Sequence, residues 1–319
     1  MQVVYSKRYQ IDLGLHVFPT EKYRLVANGA AQYGPFVEPE LATWQELALV
    51  HTTEYLAKMR DGALTQEDVD QLELPWSAEM VDAFRLMVGG TIQAGLMATG
   101  LEGVGADPGV RPGPTRGSAP TLCPSFNVVC HIGGGLHHAF PNHGEGFCPF
   151  NDVAVAACVL QALGVERIAI VDLDVHHGNG TAFIFESDPR VFTCSMHQQH
   201  NYPMWKPKGT LDIGLPDGAH DATYLHELAR ALPQVMAHRP RLVFYLAGAD
   251  PYEDDQLGGL RLTKEALRQR DRMVLDAVRT AGVPLVVTLA GGYARRVEDT
   301  VSIHLATIQE VANAERGPV

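Results

Sequence analysis

Short apolar runs rich in β-branched residues alternate along this chain with longer stretches of helical periodicity, and few architectures absorb that alternation. Runs of the first kind occupy 2–5, 127–132, 167–174, 191–197, 242–250 and 284–292. Helical spacing marks 41–59, 223–237, 263–280 and 297–314, together with stretches that Ser77 and Asn151 are placed to cap. A strand, a crossover helix and a returning strand predict parallel pairing. The expected fold is therefore α/β, a parallel sheet of about eight strands with helices on both faces. The 319 residues fit one domain, 1–319. Residues 101–125, rich in Gly and Pro and without apolar period, read as a loop insertion. Because the insertion precedes the run at 127–132, it is expected opposite the C-terminal ends of the strands. Residues 6–35 read as irregular, interrupted by Gly14, Pro19, Gly29, Gly34 and Pro35.

Four of the apolar runs end in polar turns: GGGLHH, DLDVHHG, LAGADPYEDD and LAGGY. In open parallel sheets, sites form outside the carboxyl ends of the strands. The densest of these ends is VDLDVHHGNG, Val171 to Gly180, where alternation puts Asp172, Asp174 and His176 on one side. A carboxylate and an imidazole two residues apart at a strand end can reach one divalent cation. Asp250, just past an apolar run, is a candidate third ligand. Three protein ligands leave a position open for water, which a metal can turn into a nucleophile near neutral pH. A neutral imidazole of the His137-His138 pair could take that proton and hand it to a leaving amine. Tyr293 could donate a hydrogen bond to a developing oxyanion. Taken singly, these residues have plainer readings as turn caps, surface histidines or a charged strand end, and only their convergence argues for chemistry. His51 reads as a satisfied packing residue.

A net charge of −12 and the lack of any basic run argue against nucleic acid as the main partner, and they favour a cationic substrate such as lysine or a polyamine. Five cysteines, odd in number and without CxxC spacing, suggest a reducing compartment. No apolar run reaches the roughly 18 residues of a membrane span, so a cytoplasmic location is expected.

The segments GGGLHHA, GEGFCPFND, DLDVHHGNGT, GADPYEDDQLGGLRLT and AGGY, in this order, resemble the histone deacetylase family, which includes acetylpolyamine amidohydrolases and acetoin-utilisation proteins and has an arginase-like α/β fold. SMHQQHNYP and HVFPTEKY look most like its class IV branch and bacterial relatives. The resemblance implies Zn2+ on Asp174, His176 and Asp250, with Fe2+ as a cellular alternative. It implies His138 as general base and acid, His137 as its electrostatic partner and Tyr293 as the carbonyl-polarising donor. By the same carry-over Asp172 orients His137 and Asn179 contacts His138; the family has Asp or Asn at that last position, and Asn polarises the ring less. Gly146, Phe147, Tyr202 and Leu257 would line an acyl-lysine channel. A structural K+ or Na+ is implied on the carbonyls of Asp172, Asp174, His176 and Met196 and the hydroxyl of Ser195. No catalytic role falls to His143 or His177, which are expected to make local hydrogen bonds. The implied reaction is removal of an acyl group from N-ε-acyl-lysine in a peptide or protein. The alternatives are hydrolysis of an acetylated polyamine and removal of long fatty acyl groups. A non-catalytic metal-binding protein would be expected to have lost a reacting group, and a binuclear manganese site would need further bridging carboxylates.

Overall fold

The computed structural model describes residues 1–101 and 126–316. Eight strands, β1 (Gln2–Val4), β2 (Phe36–Val37), β3 (Val128–His131), β4 (Ile168–Asp172), β5 (Val191–Gln198), β6 (Leu211–Leu215), β7 (Leu242–Leu246) and β8 (Leu285–Thr288), pair in parallel throughout. Their order in the sheet is β2-β1-β3-β8-β7-β4-β5-β6. Every residue of β3, β4, β7 and β8 is buried, which explains why these strands read as unbroken apolar runs. Helices Ala78–Thr99 and Asp152–Ala162 pack on one another, while Glu21–Ala30, Asp221–Ala237, Lys264–Ala281 and Val297–Arg316 form a second packed group. As expected, the Ser77 side chain accepts the Met80 N–H and the Asn151 side chain accepts the Ala154 N–H, so each caps its helix.

The four strands whose turns carry the polar motifs, β3, β8, β7 and β4, are consecutive neighbours at the centre of the sheet. Since all pairing is parallel, their C-terminal ends open on one edge of it, as the α/β expectation requires.

Several expectations for individual elements are corrected. Residues 6–35 contain the helix Glu21–Ala30. Gly29 does not break it but lets it approach Val297–Arg316: a Cβ there would lie 2.6 Å from Leu305 Cδ1. The stretch 41–59 is not one helix but two, Trp44–Leu47 and Thr53–Asp61, the second capped by Thr52. The segment 101–125, apart from Leu101, lies outside the described residues. Among the described residues no helix is long and apolar enough to cross a membrane.

Candidate active site

The paired part of β4 ends at Asp172 and that of β7 at Leu246, so Asp174, His176 and Asp250 stand on chain that has already left the sheet. This departure lets their side chains turn to one point. The three are buried, and one ligand-type atom from each lies within 4.8 Å of the others. His176 Nδ1 is 3.0 Å from Asp174 Oδ1 and 3.5 Å from Asp250 Oδ2. Backbone amides aim the carboxylates: Gly291 N–H donates to Asp174 Oδ2 at 2.9 Å, and Val175 N–H donates to Asp250 Oδ1 at 2.9 Å.

Asp250 Oδ2 is buried without a hydrogen-bond partner. Burial, and next to it the charge of Asp174, push the Asp250 carboxyl up to about 7. His176 is pushed up to about 10: burial works against its cation, and the bond to Asp174 together with the nearby Asp250 carboxylate prevails. Two buried carboxylates face a single imidazole here, and one carboxylate oxygen is left without a partner. A divalent cation fits this set, because it would satisfy Asp250 Oδ2 and displace the proton from His176.

The histidine pair is positioned from behind by Asp152, whose carboxylate accepts Leu136 N–H at 2.7 Å and Gly135 N–H at 3.1 Å. His137 Nδ1 faces Asp172 Oδ2 at 2.7 Å, His138 Nδ1 faces Asn179 Oδ1 at 2.7 Å, and the two Nε2 atoms are 3.1 Å apart. With an acceptor at each Nδ1, both rings keep their proton there. Two bare Nε2 lone pairs would repel at this distance, so one proton lies between them. It belongs to His137, which is pushed up to about 9: burial opposes its charge, and Asp172 and Asp174 overcome it. His138 is held well below the ordinary imidazole range by burial, then by the neighbouring cations, and stays a neutral acceptor.

Tyr293 is placed by its own N–H, which donates to Asp255 Oδ2 at 2.7 Å. Its hydroxyl is held far above the usual phenol range by burial and by Asp174 and Asp250, so it remains a donor. A cavity of about 160 Å³ is lined by Gly146, Phe147, Tyr202 and Leu257, all four expected channel residues, and by Glu73, Asn201, His138, His176 and Tyr293. A smaller pocket of about 30 Å³ adjoins it, with Phe18, Tyr23, Gly134, Leu136 and Ala290 in its wall. Asp172 and Ser195 are register partners on β4 and β5, and Ser195 Oγ lies 3.0 Å from His197 Nδ1. His143 and His177 make the local bonds expected of them, to Asn142 and Glu145 and to Asp212.

Lys22 and Glu145 are among the charged residues at the site to which sequence alone assigned no role. Lys22 is fully buried, donates to Ala290 O at 3.0 Å and lies 5.4 Å from the Tyr293 ring centre. Burial lowers it to about 8 against the pull of Asp250, Asp174 and Asp255. Glu145 accepts from Asn179 Nδ2 at 2.6 Å. Its only signal in the sequence was an acid held between two glycines next to the channel residues.

The histone deacetylase domain family matches residues 16–308 of the chain. An uncharacterized protein of Picosynechococcus sp. is 40% identical over 91% of this chain and 90% of its own length. A probable deacetylase of Archaeoglobus fulgidus is 31% identical over 81% of this chain and 68% of its own. A crystal structure of a histone deacetylase homolog, solved in complex with SAHA, superposes with a TM-score of 0.77 at 23% identity, covering 98% of this chain and 83% of that one; it shows the shared fold.

Proposed function

The chain belongs to the histone deacetylase family of hydrolytic deacetylases, and from that premise we propose that it hydrolyses the side-chain amide of N-ε-acyl-lysine in peptides or proteins, using Zn2+, or Fe2+ in the cell. The reading rests on one observation: Asp174, His176 and Asp250 meet the His137-His138 pair and Tyr293 at a single cavity. A divalent ion on the three ligands would supply Lewis acidity to the carbonyl and lower the pKa of water. The rest is the work of side chains. His138 is the base: Asn179 holds its ring proton on Nδ1, so its unprotonated Nε2 takes the proton that water gives up and later passes it to the leaving amine. Asp172 keeps His137 cationic, which holds positive charge beside the developing oxyanion. The Tyr293 hydroxyl donates to that oxyanion, and Gly146, Phe147, Tyr202 and Leu257 sheathe the lysine stem.

The proposal takes the whole of 1–319 as one catalytic domain with 101–125 inserted, of class IV-like bacterial type and cytoplasmic, with K+ or Na+ bound by Ser195 Oγ and the carbonyls of Asp172, Asp174, His176 and Met196. The small volume of the pocket beside the metal ligands supports acetyl over a long fatty chain. Glu73 in the channel wall supports an acetylated polyamine as second substrate, since a carboxylate there would attract a cationic chain.

A panel of acetyl-, octanoyl- and myristoyl-lysine peptides beside acetylated polyamines tests the reading. Acetyl-lysine should turn over fastest, and His138→Ala should abolish turnover with metal content unchanged. A His138→Ala protein that hydrolyses peptide at the original rate would reject the assignment.

A further inference from the structure

Behind His138 the hydrogen bonding does not stop at Asn179. Asn179 Oδ1 faces His138 Nδ1 at 2.7 Å while its Nδ2 donates to Glu145 Oε1 at 2.6 Å. We propose that Glu145 is a positioning residue for the base: it locks the Asn179 carboxamide in one orientation and supplies, one residue removed, the negative charge that an aspartate in place of Asn179 would bring directly. The proposal rests on the assignment of His138 as the proton-transfer group.

A neutral carboxamide can present either end to an imidazole. Turned over, Asn179 would offer N–H to His138 Nδ1, drive the ring proton to Nε2 and remove the lone pair that accepts from water. It would also set its oxygen against a carboxylate oxygen. An ionised glutamate only accepts, so the flipped form is excluded and the useful tautomer is selected.

Glu145 is itself held in place. Its backbone exchanges hydrogen bonds with Cys148, at 3.2 and 2.9 Å. Oε2 takes His143 Nε2 and Gln71 Nε2, each at 3.3 Å, which leaves Oε1 to Asn179. Burial raises the carboxyl, but the hydrogen bonds from His143, Asn179, Gln71 and Tyr202 outweigh it and keep the group ionised. Tyr202, which also acts on this carboxyl, lines the channel.

The arrangement has a consequence that a packing role lacks. Asn179→Asp, although it puts a carboxylate on His138, would set two anions at hydrogen-bond distance. Glu145→Gln would remove the distal charge. Combined, the two changes move the charge one residue inward and let the new amide donate to it.

The test uses the metal-loaded full chain. Steady-state kinetics on an acetyl-lysine peptide should show kcat falling about 10-fold or more in Glu145→Gln and in Asn179→Asp, with metal content unchanged. The double variant should return to within a few-fold of the original. Imidazole 15N spectra, with His138 assigned by its absence in His138→Ala, should show the proton on Nδ1 in the parent and double variant and a tautomer mixture in Glu145→Ala. Asn179→Asp as active as the parent, or a double variant no better than the poorer single one, would overturn the proposal, as would an unmixed Nδ1–H tautomer in Glu145→Ala. A parent enzyme that leaves acyl-lysine untouched would instead refute the substrate reading, while the spectra still report on the relay.

Discussion

Buried histidines in this chain divide by what faces their nitrogens. His137 meets a carboxylate and is driven up to about 9, whereas His51 and His131 meet no charge and are driven down by burial to about 4 and about 3. His51, expected from its apolar face to be a packing residue, has both nitrogens engaged. Nδ1 donates to Phe140 O at 3.0 Å, and Nε2 accepts Asn151 N–H at 3.1 Å. Asn151 in turn caps its helix and donates from Nδ2 to Ala139 O at 3.3 Å, just beyond the His137-His138 pair. Protonating His51 would break the Asn151 bond and bury a charge. Its folded pKa of about 4 lies below the unfolded 6.5, so the unfolded chain binds the extra proton between those values. Stability from this residue is therefore complete above pH 6.5 and is lost as pH falls toward 4, by up to about 3 kcal/mol. His51→Gln, which retains a donor and an acceptor, should flatten the fall of the urea midpoint across this window. A slope as steep as that of the parent would show that His51 does not titrate there. A single charged partner was harder to foresee than this burial. Asp174 and His176 announce themselves by following an apolar run, while Glu145 matters only through Asn179, which the fold brings to it.

At the scale of elements, the apolar runs located the six inner strands well and their ends poorly. The expected runs at 167–174, 242–250 and 284–292 outlast the paired strands, which stop at Asp172, Leu246 and Thr288. The excess residues form the site: sequence continuity carries the chemistry past the point where backbone pairing ends. Strands β2 and β6 went unnoticed because they lie at the sheet's edges. The first has two half-buried residues, and the second alternates half-buried with exposed ones before its buried end at Leu215, so neither forms an apolar run. The turns after β3 and β8 are in close contact, which gives Gly135 its reason. It has φ +80°, and a Cβ would come within 2.5 Å of Ala290 Cβ, itself on a residue with φ +55°. Gly164 has φ +96° and open space around it, and so isolates the backbone cost alone. Gly135→Ala should therefore lose more stability than Gly164→Ala, by about 1–3 kcal/mol of overlap, and it should lower kcat as the turn bearing His137 is pushed from that bearing Tyr293. Equal losses in chemical denaturation would mean that the two turns can part without cost.

Across the whole molecule, the parallel sheet assigns opposite duties to its two edges. The three candidate metal ligands, the His137-His138 pair and Tyr293 follow the C-terminal ends of β3, β4, β7 and β8. The residues that flank 102–125 sit at the other edge, where β3 begins. Asn127 Nδ2 donates to Met97 O at 2.9 Å and to Ala98 O at 3.1 Å, and Leu101 N–H bonds Leu96 O at 2.9 Å. The two anchors thus stand side by side and would accept a much shorter connection. Removing half of a loop changes its closure entropy by only about 0.6 kcal/mol, in favour of folding. Deleting part of 105–119 should therefore leave stability unchanged or slightly raised, and kcat/KM on acetyl-lysine peptide close to that of the full chain. Chemical denaturation and steady-state kinetics on the same preparation separate the outcomes. A large fall in turnover with an unaltered unfolding midpoint would show that a segment anchored at the far edge acts on the chemistry at the near one, and that the division of duties between the edges fails.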